Sequence, residues 1–157
     1  LNFYFQVKKR LGILDFDLDC AASLHNTLTN RFYGEEENGL EQSWMTPGWV
    51  WCHPPFGHIE PWVRKALEES NKGAKIAMLL PASVGANWWE LWVDGEAHVL
   101  FLNGRLTFQG EATPYPKDCV LLLWTPIVKG GYEVWNWRAG LSQKEMGPPG
   151  KKKKGTI

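Results

Sequence analysis

Residues 48–57 read GWVWCHPPFG, an apolar run that ends in a histidine, two prolines and a phenylalanine. Neither proline can donate a backbone hydrogen bond and both fix an extended path, so a strand beginning at the tryptophans has to stop at the histidine. Beyond it the chain forms a rigid shelf. Residues 60–70, EPWVRKALEES, then take up helical spacing, with proline near the start and Trp62, Ala66 and Leu67 on one face. Working outward, 13–22 (ILDFDLDCAA) reads as a strand running into a tight turn of small residues. Residues 74–82 (AKIAMLLPA), 97–105 (AHVLFLNGR) and 118–124 (DCVLLLW) read as further strands, and 87–95 (NWWELWVDG) as a short helix ending at a glycine. Alternating strands and helices predict one α/β domain with a mostly parallel sheet and right-handed crossovers. Residues 104–117 look like loop, so the strands on either side of them are expected to be antiparallel, giving an antiparallel strand towards the C-terminus. YEVWNWR (132–138) can add an edge strand. Sheets of this kind bind ligands beyond the carboxyl ends of their strands, where DCAAS (19–23) and HPPFG (53–57) both fall.

A chain of 157 residues, 44% of them hydrophobic, suits a single core. The reading is one domain over residues 1–140, then a flexible basic tail over 141–157 that contains GPPGKKKKGTI. That tail is either a solvated end or an arm that attracts phosphate without choosing sequence. The chain does not begin with methionine. Leu1, Phe5, Lys8 and Leu11 ahead of Gly12 fit an amphipathic helix, which favours native sequence there and leaves an N-terminal truncation open. The formal net charge of zero gives no overall polyanion signal, so any nucleic-acid contact has to come from local patches. Three widely spaced cysteines without a CxxC argue for reduced thiols in a cytosolic compartment. No stretch reaches the roughly 18 apolar residues of a membrane span, and a soluble cytoplasmic protein without membrane contact is expected. Cys52, His53 and His58 lack the usual zinc spacing, and no metal site is expected.

HPPF is similar to the catalytic loop of amino methyltransferases, in which Asn, Asp or Ser precedes two prolines and an aromatic residue. LDCAAS with Asn26, EEENGLEQSW, VWCHPPFG with a downstream PWVRKA, MLLPASVGANWW, FLNGRLTF and YPKDCVLLLW together resemble the phage-type DNA N6-adenine methyltransferase family, in that family's order, from about residue 11 to 124. The resemblance implies a Rossmann-like class I methyltransferase fold, S-adenosylmethionine as methyl donor, adenine in DNA as acceptor and a phage or prophage origin. It places Asp19, Cys20, Ala21, Ala22 and Asn26, with Asn38, Gly39 and Leu40, at the cofactor, and His53, Pro54, Pro55 and Phe56 at the chemistry. Asn38 stands where the family carries an acidic residue; it keeps hydrogen-bonding capacity without the charge, for which Glu35, Glu36 and Glu37 are candidates to compensate. The bland alternatives are a solvated acidic loop, and Asp15, Asp17 and Asp19 as the polar phase of an edge strand.

The chemistry explains the motif. An exocyclic adenine amine is a poor nucleophile because its lone pair is delocalised into the ring. An acceptor side chain and the carbonyl between the prolines can hold both amine hydrogens and aim the lone pair at the sulfonium methyl, which is orientation and electrostatic preorganisation. The aromatic residue stacks on a base taken out of the duplex, and Phe56 is the candidate platform. His53 is the departure, since the family has Asn or Asp there. Neutral imidazole offers one acceptor nitrogen and imidazolium offers none, so activity through His53 should rise as pH passes its titration, nominally near ~6.5.

Ser83 and Asn87 either cap the helix after them or touch the flipped nucleotide, with Trp88 as a base-stacking candidate and Arg105 and Lys117 as phosphate contacts. Most of the ten tryptophans are expected in the core, and His25 and His98 have no assigned role. The leading function is N6-adenine methylation of DNA. The alternatives are another planar amine such as N4 of cytosine, or a catalytically impaired module that keeps the fold and binds cofactor or DNA. With no segment large enough for a separate recognition domain, loose sequence specificity is expected, with 35–48 and 103–118 forming most of the DNA surface. Nothing in the sequence demands a dimer.

Overall fold

A computed structural model describes residues 2–141, so the basic run of the tail lies outside the described residues. The elements run α1 (Asn2–Leu11), β1 (Leu18–Asp19), β2 (Trp49–Cys52), α2 (Glu60–Asn71), β3 (Lys75–Pro81), β4 (His98–Leu102), β5 (Cys119–Trp124) and β6 (Tyr132–Trp135). Short helical turns sit at Gly39–Glu41, Trp89–Val93 and Trp137–Gly140. The six strands form one mixed sheet in the order β1-β2-β3-β5-β4-β6.

The expected mostly parallel sheet needs correction. β1 with β2, β2 with β3 and β4 with β6 are parallel, whereas β5 is antiparallel to both β3 and β4. A strand that pairs with its predecessor through a loop without a crossover helix has to run back beside it, and 103–118 is such a loop. The antiparallel β4–β5 pairing is therefore as expected. β5 lies inside the sheet, and β6, the edge strand expected over 132–138, is parallel to β4.

Both faces of the sheet are covered. Along β3, Ile76, Met78 and Leu80 join the cluster under α2, and Ala77 and Leu79 join the one under α1, so the strand reads as continuously apolar. Seven of the ten tryptophans are buried, and packing rather than surface stacking is their main role. α1 ends at Gly12, whose φ of 67° suits the left-handed helix stop. Its buried face is Phe3, Tyr4 and Val7, one step from the face expected, and Phe5 points outwards at 60% exposure. The helix expected over 87–95 is present over 87–93, its last five residues, Trp89–Val93, forming a wide turn that ends before Gly95. Among the described residues no helix is long and apolar enough to cross a membrane.

One buried charge ties α2 to the loop before β2. Glu69 accepts the Trp44 amide at 2.7 Å and faces the amines of Lys65 at 3.6 Å and Lys72 at 3.3 Å. Burial alone would raise its pKa, but the amide and the two lysines outweigh that and hold the carboxyl below its ordinary value. Glu69→Ala should destabilise the fold by about 2–4 kcal/mol at neutral pH, read by urea unfolding. Because the folded pKa is depressed, the parent's advantage should be full above the ordinary carboxylate range and shrink as pH falls through the folded pKa. An advantage that does not vary with pH would contradict this assignment.

Candidate functional site

β1 and β2 lie side by side and run the same way, so the loops leaving their carboxyl ends start next to each other; Cys20 N donates to the Trp51 carbonyl at 3.0 Å. Asp19 ends β1 and is buried. Its two carboxylate oxygens accept the amides of Ala21 at 3.4 Å and Leu28 at 3.3 Å, so the side chain shapes the loop between them. Burial raises its pKa and those two amides pull it back. Tyr33 N donates to the Asp19 carbonyl at 2.9 Å and Ala22 N to the Tyr33 carbonyl at 3.0 Å, which lays the returning stretch of chain along the loop.

Asn38, Gly39 and Leu40 meet this loop. Asn38 has φ 51°, a conformation asparagine tolerates better than most residues, and its side-chain oxygen accepts the Leu40 amide at 3.2 Å. A Cβ on Gly39 would collide with the Cys20 carbonyl oxygen, so only glycine permits this approach. The Trp44 indole N–H holds the Gly39 carbonyl at 2.8 Å. The structure thus brings together the residues expected at a cofactor, with one exception. Asn26 is exposed and its side chain closes its own turn, accepting Ser23 N at 2.6 Å. Of the acidic run, Glu37 is engaged by the Gly34 amide at 3.0 Å, while Glu35 and Glu36 are exposed.

The shelf after β2 is adjacent. Pro54 is buried, Pro55 is exposed, and the Pro55 carbonyl closes a turn with His58 N at 3.3 Å. The Pro54 carbonyl accepts no hydrogen bond from the described residues. His53 is half-buried, and burial pushes its pKa below the usual histidine value. Its ring lies 5.2 Å from Phe108 and 5.3 Å from Phe56, and Tyr115 packs on both phenylalanines at 5.4 and 5.6 Å. Phe108 and Tyr115 come from the β4–β5 loop and were not among the expected site residues. The available signal was two aromatic residues inside the otherwise polar stretch 104–117.

The residues expected at DNA divide. Ser83 and Trp88 line a groove of about 590 Å³ that also meets Phe56, His58 and Arg64. Trp88 is nonetheless 8% exposed and packs on Trp89 at 5.8 Å, which makes it mainly a core residue. The expected side-chain cap is missing, since no side chain caps the Trp89–Val93 turn. Asn87 is exposed and outside that lining. Arg105 pairs with Asp118 at 3.5 Å across the neck of the β4–β5 loop, and Lys117 is exposed on it. A second hollow of about 440 Å³ lies past the ends of β3 and β4, lined in part by Ala82, Asn103 and Gly104. Cys20, Cys52 and Cys119 are buried thiols; burial pushes all three up in pKa, Cys119 to about 11, so they stay protonated and unreactive at neutral pH.

The carboxyl edge of the sheet thus carries two loops of small and amide residues beside a His-Pro-Pro-Phe shelf. The family model for DNA N-6-adenine-methyltransferase (Dam) matches residues 1–132, and the chain belongs to that family. The DNA N-6-adenine-methyltransferase of Escherichia phage T1 is 31% identical over 103 residues, covering 66% of this chain and 43% of that protein. That of Haemophilus phage HP1 (strain HP1c1) is 30% identical over 117 residues, covering 73% and 63%. The chain thus spans about half the length of these relatives. Among solved structures, a chain of a type I restriction–modification assembly overlaps 71% of this one and 28% of its own length, at 18% identity and a TM-score of 0.40, which is too low to establish a shared fold.

Gly39→Ala should lower stability by about 1–3 kcal/mol in urea unfolding, because the Cys20 carbonyl belongs to backbone that cannot move aside cheaply. Gly85→Ala, where an added Cβ meets nothing within 4 Å, should be near neutral. Equal effects at the two positions would contradict the close packing of the two loops.

Proposed function

We propose that this chain transfers a methyl group from S-adenosylmethionine to the N6 amine of adenine in DNA, with a class I methyltransferase architecture and in the cytoplasm of a bacterial host. The observation that carries the reading is the His53-Pro54-Pro55-Phe56 shelf standing beside the joined loops of Asp19–Ala22 and Asn38–Leu40, in a member of the Dam family. When bound, the cofactor supplies an electrophilic methyl on a sulfonium. The junction suits such a ligand: Ala21, Ala22 and Gly39 keep side-chain bulk out of it, and Asn38 and the loop backbone offer polar contacts. Asp19 acts there through the loop it folds, since both its oxygens are taken by backbone amides.

On the acceptor side, neutral His53 takes one amine hydrogen and the free Pro54 carbonyl takes the other, fixing the direction of the nitrogen lone pair. Phe56, braced by Phe108 and Tyr115 from the β4–β5 loop, stacks on the extracted base. Arg105 and Lys117, exposed on that loop, are the phosphate contacts, Arg105 by exchanging its Asp118 partner, and the groove of Ser83 and Trp88 next to Phe56 takes flanking nucleotide surface. Residues 35–48 and 103–118 supply most of the DNA face, so sequence preference is loose.

One observation favours the competing reading of an impaired loop that still binds cofactor or DNA. Among the described residues nothing hydrogen-bonds the His53 ring to fix its tautomer.

Labelled methyl transfer to unmethylated duplex DNA, with nucleoside digestion and mass analysis, separates the readings. N6-methyladenine is expected from the parent. Only neutral His53 accepts, and burial lowers its pKa in the free protein, so kcat/KM should rise with pH through a midpoint below ~6.5 and stay flat above it. His53→Asn should be active without that rise. Product from the asparagine variant alone would mean a sound scaffold with a disabled loop, and product from neither would leave the binding module.

A further inference from the structure

Among the described residues no hydrogen bond holds the His53 ring, and two aromatic rings lie against it. Phe56 lies 5.3 Å from it at 60° and Phe108 lies 5.2 Å from it at 40°. Phe56 shares the loop with His53, whereas Phe108 arrives from the β4–β5 loop and is itself fixed. Its ring meets Tyr115 at 5.4 Å and Phe56 edge-on at 6.0 Å. Tyr115 N donates to the carbonyl of buried Leu106 at 2.7 Å, and the Arg105–Asp118 pair closes the neck of the loop. Phe108 is therefore a braced wall against the imidazole.

We propose that Phe108 is a positioning residue for His53, holding the imidazole by ring packing in the orientation from which its unprotonated nitrogen accepts an amine hydrogen. This rests on reading His53 as the acceptor. The nitrogen lone pair is directional, and a hydrogen bond weakens steeply as its angle closes, so a ring free to turn on its side-chain torsions would spend most of its time misaimed. An amide or carboxylate at this position, with two accepting lone pairs on each oxygen, depends less on such a wall. Packing also keeps water off the ring, and burial is the cause of its lowered pKa. The titratable groups on the elements packed here are Cys52 and His58 beside it in sequence, and Arg105, Glu111, Tyr115, Lys117 and Asp118 on the facing loop; none of them contributes to that shift.

The test uses the full chain and two readouts. In the first, the His53 ring protons, assigned by their loss in His53→Asn, are titrated by NMR in the parent, Phe108→Leu and Phe108→Tyr. The parent midpoint should lie below ~6.5, rise in Phe108→Leu as water reaches the ring, and return to the parental value in Phe108→Tyr, which keeps an aromatic wall. A Phe108→Leu midpoint equal to the parent's overturns the proposal whatever the activity. In the second, Phe108→Leu should lower kcat with KM for DNA unchanged, and the loss should shrink several-fold in the His53→Asn background. An equal loss in both backgrounds, or a change in KM alone, assigns Phe108 to the base instead and overturns the proposal. A parent that transfers no methyl removes the acceptor reading, and the titration then decides alone whether Phe108 holds the ring.

Discussion

Two residues of strand pairing hold the candidate site together. β1 meets β2 at Leu18 with Val50 and Asp19 with Trp51, and the ladder continues through Asp17 N to the Trp49 carbonyl at 2.9 Å and Cys20 N to the Trp51 carbonyl at 3.0 Å. A strand this short cannot persist without support. Its support is a closed path of contacts. Gly39 presses on the Cys20 carbonyl, Trp44 holds Gly39 through its indole, Glu69 on α2 accepts the Trp44 amide, and α2 begins just past the proline shelf that ends β2. Loosening any member frees the loop of Asp19 from the shelf of His53.

The same path separates polar from apolar surroundings at the carboxyl edge of the sheet. Asp19 is buried and accepts two amides, which only partly offset its desolvation, so its pKa stays raised. His53 is desolvated against rings instead, which favours its neutral form, the only one able to accept a hydrogen. The two groups sit at the ends of neighbouring strands in different environments: Asp19 is bound to loop amides and His53 lies against aromatic rings.

Much of this was legible because its signals were local. The run GWVWC ahead of two prolines marks a strand end without reference to the rest of the chain, and EPWVRKALEES carries its own start signal and apolar face; both elements form within a residue of where they were expected. The absence of a helix in 104–117 correctly reversed the strand after it. The position of β5 between β3 and β4 was not legible, because which edge a returning strand joins is decided by which apolar faces remain open. Phe108 and Tyr115 escaped for a related reason. A loop's aromatic residues reveal a partner only when the fold brings the partner near, and His53 lies far from them in sequence. The face of α1 was misjudged because five of the chain's first seven residues are bulky and apolar, so more than one face looked fit for burial.

The most direct measurement of the central claim, that the loops after β1 and β2 form one cofactor-facing unit, is amide hydrogen exchange of the full chain with and without S-adenosylmethionine. Protection arising together in residues 20–28, 38–40 and 53–58 is the predicted result, since Gly39 packs on the Cys20 carbonyl and Cys20 N pairs with the Trp51 carbonyl just ahead of the shelf. Binding of the cofactor with protection elsewhere and none in these three segments would contradict the account.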